Sequence, residues 1–76
     1  MFETEMTAIL VAHTGAGWEI VEWYGEESIA DDLFDTKAEA TKVARRIFND
    51  NPSVQTLETA TARSFGADIT VIRSRS

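Results

Sequence analysis

The chain has 76 residues and no cysteine, so it is long enough for one domain and offers neither disulfides nor thiolate metal ligands. Because 43% of the residues are hydrophobic, we expect a folded chain rather than a disordered one. A net charge of −6 argues against direct binding to nucleic acid or to an anionic membrane. The acidic N-terminus and the lack of a long apolar run predict a cytoplasmic protein with no membrane contact.

Acidic and basic residues are divided along the chain. The first 35 residues carry nine acids and no Lys or Arg, a net charge of −9, whereas the remainder carries seven basic residues against four acids, a net charge of +3. Such a division predicts an electrically one-sided molecule if the fold keeps the two groups on different surfaces. The acids of the first part are Glu3, Glu5, Glu19, Glu22, Glu26, Glu27, Asp31, Asp32 and Asp35.

Three strands are predicted before the helix. Residues 6–12 are apolar at both alternating sets of positions, which favours a strand in the middle of a sheet. Gly15 and Gly17 follow in a predicted hairpin loop, where we expect both to supply positive φ angles. Residues 18–24 are rich in aromatic and β-branched side chains and predict the second strand, and residues 28–34 predict a short third strand.

The second strand carries the aromatic residues that bear on function. Its adjacent Ile20 and Val21 break the alternation, which indicates either a bulge or burial on both faces. Trp18 and Trp23 are five residues apart, so they should point to opposite faces unless a bulge intervenes. One of them would then lie in the core and the other at the outer face or rim, where it could anchor a partner. The favoured interpretation is that both are core residues of a small protein that has few large side chains.

A helix over about residues 36–50 is predicted from its cap and its apolar stripe. Thr36 and Glu39 have the spacing of a capping box, and Pro52 cannot continue the helix. Residues 54–63 and 69–72 then indicate two more strands, with Gly66 in the turn between them and a frayed tail after them. The stripe consists of Ala40, Val43, Ala44, Ile47 and Phe48, while Lys42, Arg45 and Arg46 should face water.

The order of these elements predicts an α+β fold in a single domain spanning residues 1–76. Its small, mostly antiparallel sheet would have four or five strands in the order β-β-(β)-α-β-β, with one helix packed on it. The helix stripe would cover the apolar face of the sheet.

Catalysis, metal binding and cofactor binding find no support in the sequence. His13 has neither a Cys nor a second His to act with, so we predict no catalytic residue and no enzyme. The acids of residues 26–35 lack the spacing of a calcium loop, which favours a solvated segment over a metal site. Gly15 and Gly17 lie between two predicted strands rather than before a helix, so they predict a turn and not a phosphate loop. No cofactor is expected.

Four cations on the predicted helix raise the question of a nucleic-acid surface. Lys37, Lys42, Arg45 and Arg46 are offset by Glu39 and Asp50, and no aromatic residue lies between them to stack bases. We therefore interpret them as the solvated face of the helix.

Four segments carry a resemblance to a known group of proteins. They are WEIV at residues 18–21, FDTKAEA at 34–40, ARR at 44–46 and ITVIR at 69–73. In these segments the chain resembles a family of small uncharacterised bacterial domains, and the resemblance extends over about two-thirds of the chain. That resemblance implies a β-β-α-β core and no established activity. The chain departs from the family in its acidic strand-to-helix connection and in the extra strand expected at residues 54–63.

A second similarity is one of type. Phage-encoded inhibitors of bacterial defence, such as anti-CRISPR proteins, are commonly small, acidic, cysteine-poor single domains with a sheet and one or two helices. This chain is similar to them in those properties but shares no motif with them.

The sequence therefore predicts a non-enzymatic interaction protein whose acidic face docks on a basic surface of a protein partner. If that partner holds nucleic acid, as a defence complex does, carboxylates would compete with phosphates for its Lys and Arg side chains. Two alternatives stay open: acidity that serves solubility only, and a homo-oligomer held by charge complementarity. The predicted partner-binding residues are Glu19, Glu22, Trp23, Tyr24, Glu26, Glu27, Asp31 and Asp32.

Overall fold

The computed structural model describes residues 5–60 and 69–75, with Asp31 described by its backbone alone. It has the predicted α+β architecture, with one helix packed on a mixed sheet. The predicted acid Glu3 and the predicted turn at Gly66 lie outside the described residues. The elements are β1 (Ala8–Thr14), β2 (Gly17–Tyr24), β3 (Glu27–Phe34), α1 (Lys37–Asp50), β4 (Thr56–Ala60) and β5 (Ile69–Ser74).

The five strands lie in the order β3-β2-β1-β4-β5. Three of the four pairings are antiparallel, and β1 with β4 is the parallel one, because α1 carries the chain from β3 across the sheet to β4. The prediction of a central first strand is confirmed. Within β1, Ile9 and Val11 are buried on one face and Leu10 and Ala12 on the other, which explains why both alternating sets of positions are apolar.

The two faces of the sheet are distinguished by α1. On the helix face, Ile9, Val11, Ile20 and Leu57 form one buried cluster with Ala40, Ala44 and Phe48 of α1. The opposite face, here called the open face, has no described helix or strand lying on it. Its cluster is smaller and consists of four buried side chains with Trp23 packed against them: Leu10, Ala12, Val21 and Ala60.

Helix α1 begins as its capping residues predict. The Glu39 amide donates to the Thr36 hydroxyl oxygen at 3.2 Å, and the same hydroxyl lies 3.2 Å from the Glu39 carboxylate. This satisfies one of the amides that a helix start leaves without a partner. The predicted stripe is confirmed, since Ala40, Ala44 and Phe48 are buried against the sheet.

The C-terminal end of α1 is held by a residue from beyond β5. The Arg75 guanidinium lies 4.1 Å from the centre of the Phe48 ring and donates to the carbonyls of Phe48 and of Val54, the latter at 2.6 Å. A cation beside the last carbonyls of a helix complements its dipole, and α1 has no basic residue of its own in the last turn. The prediction of a frayed tail is therefore wrong for Arg75, and also for Arg73 and Ser74, which belong to β5 and pair with β4.

The hairpin between β1 and β2 and strand β2 bear on two predictions: the positive φ angles of the hairpin glycines and the broken alternation of β2. Gly17 has a φ of 152°, whereas Gly15 does not adopt a positive φ, so the expectation for Gly15 is wrong. A Cβ at Gly17 would lie 2.6 Å from the carbonyl oxygen of Phe34, which shows how closely β2 and β3 approach there. The pairing of β1 with β2 is continuous, so no bulge separates Ile20 from Val21. Both residues are apolar because Ile20 is buried on the helix face and Val21 is buried on the open face. The irregularity lies instead in the pairing of β2 with β3.

Candidate functional site

A cleft of about 400 Å³ lies on the open face of the sheet. Its floor comes from β1, one wall from Trp23 of β2, and the other wall from β4 and β5. Clefts of this size fall at the small end of the range for binding sites, and suit a side chain or a short segment. The lining residues are Thr7, Ala8, Leu10, Trp23, Gly25, Glu58 and Ile69.

Strand register brings these side chains together. Ala8 pairs with Trp23 in the antiparallel ladder, and Leu10 pairs with Glu58 in the parallel one, so all four share the open face. Since β2 and β4 flank β1, the side chains of Trp23 and Glu58 stand on either side of the floor, roughly 10 Å apart across the sheet. Ile69 pairs with Ala60 and extends the second wall.

The chemistry of the cleft is apolar with one carboxylate. Leu10 is buried in the floor, Trp23 is half-buried, and Ile69 keeps 43% of its surface exposed. Glu58 is half-buried and is the charged residue among the described side chains of the lining. The cleft has an aromatic ring on one wall, a carboxylate on the opposite wall and an apolar floor. This arrangement suits a side chain with a cationic end and an aliphatic stem.

The two tryptophans lie on opposite faces, as their spacing predicts. Trp18 packs against the helix-face cluster, stacks on His13 with ring centres 4.6 Å apart, and has the Lys37 ammonium 5.8 Å from its ring centre. Trp23 packs against the open-face cluster and borders the cleft. Both rings are half-buried, so neither is a fully enclosed core residue.

The predicted partner-binding residues do not share one face. Trp23 and Glu19 belong to the open face, since they pair with Ala8 and Ala12 there. Glu22 pairs with Ile9 and therefore lies on the helix face, where its carboxylate accepts a hydrogen bond of 3.0 Å from the hydroxyl of Tyr24. The strand period of two separates these residues, so their closeness in sequence does not make one surface.

The remaining predicted acids line one edge of the sheet. Glu26 lies in the turn between β2 and β3, and Glu27 and Asp32 lie in β3; all three are exposed, and Asp31 is in β3 as well. These four residues are here called the acidic edge. Because β3 is the outermost strand, the acidic edge borders both faces of the sheet.

Cations occupy other parts of the molecule. Residues 17–34, which form β2, β3 and their turn, contain six acids and no Lys or Arg. Lys42, Arg45 and Arg46 are exposed on α1, as predicted, and Arg73 is exposed on β5 at the opposite edge of the sheet. Among the described residues, the cations thus lie on α1 and at the end of β5, and not in β2, β3 or their turn.

A second groove, of about 550 Å³, follows the outer side of α1. It is lined by Lys37, Ala38, Thr41, Lys42 and Arg45, which all come from the one helix. Three long cationic side chains spread over a single helix enclose space without a second wall, so we interpret this groove as solvated helix surface rather than a built site.

Residues 5–60 and 69–75 include His13 and most of the acids, the residues that would take part in catalysis or in metal binding. His13 is exposed, and its described ring contact is the one with Trp18. Within these ranges no three His, Asp or Glu side chains are placed so that they could hold a metal ion. In the same ranges, no helix is long and apolar enough to cross a membrane.

Comparison with known proteins gives no relative. The chain matches no protein-family model, and no curated protein and no solved structure is significantly similar to it. The resemblances described from its sequence therefore stay predictions.

Six of the seven residues that line the cleft were missed by reasoning from the sequence: Thr7, Ala8, Leu10, Gly25, Glu58 and Ile69. Glu58 carried a signal, because it is the acid in a strand whose neighbours are Thr, Leu and Ala. The parallel pairing that sets Glu58 beside Leu10 joins residues 48 positions apart, and a pattern of local alternation does not contain that information.

Proposed function

We propose that this chain is a non-enzymatic interaction protein that docks on a basic surface of a protein partner. The acidic edge would supply the electrostatic attraction and the open face the apolar contact. The observation that carries the proposal is the sorting of charge by the fold: six acids without a cation in β2, β3 and their turn, next to a cleft walled by Trp23.

Exposed carboxylates at an edge are suited to steering a partner. Glu26, Glu27 and Asp32 are solvated, so each adds little energy by itself, but their shared field extends over roughly the Debye length of 8–10 Å. Fields of this kind raise the association rate and select partners of opposite charge. Docking through the acidic edge should therefore weaken as salt rises.

An apolar anchor next to the charges would give the complex its lifetime. Trp23 is half-buried beside the cleft, with Ile69 across from it and the exposed Val71 further along the open face. Tryptophan is over-represented among the residues that dominate binding energy, particularly where a ring of neighbouring contacts excludes water. The charges would bring the partner in, and the open face would hold it.

The basic surfaces best matched to such an edge are those that hold nucleic acid. Carboxylates repeated along an exposed strand and turn would offer Lys and Arg side chains an alternative to phosphate. The specific form of this proposal is an inhibitor of a nucleic-acid-binding complex, similar in type to the anti-CRISPR proteins.

The homo-oligomer alternative differs in the surface that would meet the acidic edge. Arg73 is the exposed cation of β5 in the described part of the chain, whereas α1 exposes four cations, Lys37, Lys42, Arg45 and Arg46. A second copy would therefore meet the acidic edge with α1, and this self-association should also weaken as salt rises.

The proposal is tested by capturing partners from the native host with a tagged bait at low salt. The test bait carries Glu27→Gln and Asp32→Asn in the acidic edge, and a matched control carries Glu5→Gln and Asp50→Asn elsewhere on the surface. Both remove two exposed carboxylates and should fold normally, so total charge is the same and only its position differs.

We expect the wild type and the control to recover the same basic protein, and the edge variant to lose most of it. Moderate salt should release the partner, and a short nucleic-acid duplex should compete for it if the bound surface is a nucleic-acid site. Equal recovery by the edge and control variants would reject the acidic edge as the docking surface. Recovery of no protein that differs between the baits would favour acidity as a solubility device.

A further inference from the structure

We propose that the cleft on the open face is a receptor for one arginine side chain of the partner. The aliphatic part of that side chain would lie on Ala8 and Leu10, and its guanidinium would lie between the ring of Trp23 and the carboxylate of Glu58. This inference rests on the proposed function, because it specifies which group of a basic partner the open face recognises.

Each wall of the cleft offers a guanidinium a different interaction. A guanidinium stacks on the face of an indole ring, and tryptophan is the best aromatic partner for a cation. The same guanidinium can donate to a carboxylate, and Glu58 is the carboxylate in the described lining. With the two walls roughly 10 Å apart across the sheet, one flat cationic group fits between them.

The floor is matched to the stem of the side chain. Leu10 is buried, and Ala8 is small, so the floor is apolar and low between higher walls. The methylene groups of an arginine gain free energy when they leave water for such a surface. A short anionic or purely aliphatic group would leave either Glu58 or the indole face without a partner.

The sign of charge on the open face excludes several other occupants. Glu19 and Glu58 are the charged residues that the strand register places on this face among the described residues, and both are acidic. Two copies of the chain meeting by their open faces would bring like charges together. An anionic ligand would be repelled for the same reason.

A titration followed by NMR tests this inference on the intact chain. The probe is N-acetyl-arginine N-methylamide, and the matched neutral probe is the corresponding citrulline derivative, which has nearly the same shape without the charge. The chain is labelled with ¹⁵N, and the indole signal of Trp23 is identified from a Trp23→Phe variant. Two variants are compared with the wild type: Glu58→Gln in the cleft and Glu27→Gln in the acidic edge.

We expect saturable shifts in the Trp23 indole and in the amides of Ala8 and Leu10 with the arginine probe. Glu58→Gln should weaken the apparent affinity by about threefold to tenfold, which corresponds to one exposed to half-buried charge interaction. Glu27→Gln should change it by less than about twofold, and the citrulline probe should give little response.

Three results would overturn the inference. They are an equal response to the citrulline probe, an unchanged affinity after Glu58→Gln, and shifts that follow the acidic edge instead of the cleft. None of these results would contradict the docking proposal that the capture experiment tests, since a partner could still dock on the acidic edge with no arginine in the cleft. Conversely, loss of the proposed partner interaction would leave the probe titration interpretable, so the two proposals fail separately.

Discussion

The helix face and the open face of the sheet both carry apolar side chains, but they differ in how far those side chains are buried. On the helix face, α1 lies across β1 to β4, and the largest fully buried side chains, Ile9, Ile20 and Leu57, lie there. On the open face the buried side chains are fewer, and Ile69, Val71 and Leu33 keep 43%, 54% and 57% of their surface exposed. The helix face thus contains most of the buried core, whereas the open face leaves large apolar side chains exposed to solvent.

The two tryptophans show the same difference at one residue each. Trp18 is tied into the molecule by His13, Lys37 and the helix-face cluster. Trp23 packs on the open-face cluster and leaves part of its ring beside a cleft that has a carboxylate on the far wall. Two residues of the same type in one strand thus take different roles, because the strand period places them on different faces.

The largest expected effect comes from truncating an aliphatic side chain on each face. Leu57 is 0% exposed, so Leu57→Ala should lose about 2–5 kcal/mol of unfolding free energy through lost burial and a cavity. Ile69→Ala on the open face should lose less than about 1 kcal/mol, since much of that side chain is already in water. Urea denaturation of both variants measures the difference. Similar losses in the two variants would show that the open face contributes as much to stability as the helix face.

The close approach of β2 and β3 gives a second pair of variants. Gly17→Ala should cost about 2 kcal/mol or more, because it places a Cβ against the Phe34 carbonyl and requires a φ of 152° that alanine avoids. Gly15→Ala has open space around its added carbon and should be nearly neutral. Thermal unfolding should separate the two by several degrees at this chain length. A destabilised Gly15→Ala would show that the hairpin differs from the one described.

The smallest expected difference in stability is between variants of the two arginines near the end of β5, Arg73 and Arg75. Arg75→Gln removes the charge from the end of α1 and the contact with Phe48, and should cost about 1–2 kcal/mol. Arg73→Gln changes an exposed side chain and should stay within about 0.5 kcal/mol. Equilibrium unfolding of both tests whether Arg75 belongs to the helix-face architecture. Equal stability of the two variants would return Arg75 to the solvated surface.

The parts of the fold that local patterns encode were predicted well. The cap at Thr36, the stripe from Ala40 to Phe48 and the two-sided apolar run of β1 each have a signature within a few residues. The opposite directions of Trp18 and Trp23 followed from the strand period alone. These features depend on neighbours in sequence, and a single sequence contains them.

The site was predicted only in part, because its geometry depends on pairings between distant segments. Counting acids along residues 19–32 found the acidic edge but also joined Glu22 and Tyr24 to it, although both lie on the helix face. The far wall of the cleft, with Glu58 and Ile69, depends on β4 lying beside β1. Arg75 was missed for the same reason, since its partners Phe48 and Val54 are more than 20 residues away.

The docking surface is tested most directly by a comparison of two baits in the capture experiment, Trp23→Leu and Trp18→Leu, each first shown to be folded by circular dichroism. The amount of the salt-released basic partner is the quantity measured. We expect Trp23→Leu to lose most of that partner and Trp18→Leu to keep it, because Trp23 borders the open-face cleft and Trp18 does not. Loss of the partner by Trp18→Leu with retention by Trp23→Leu would contradict the open face as the docking surface and place it on the helix face.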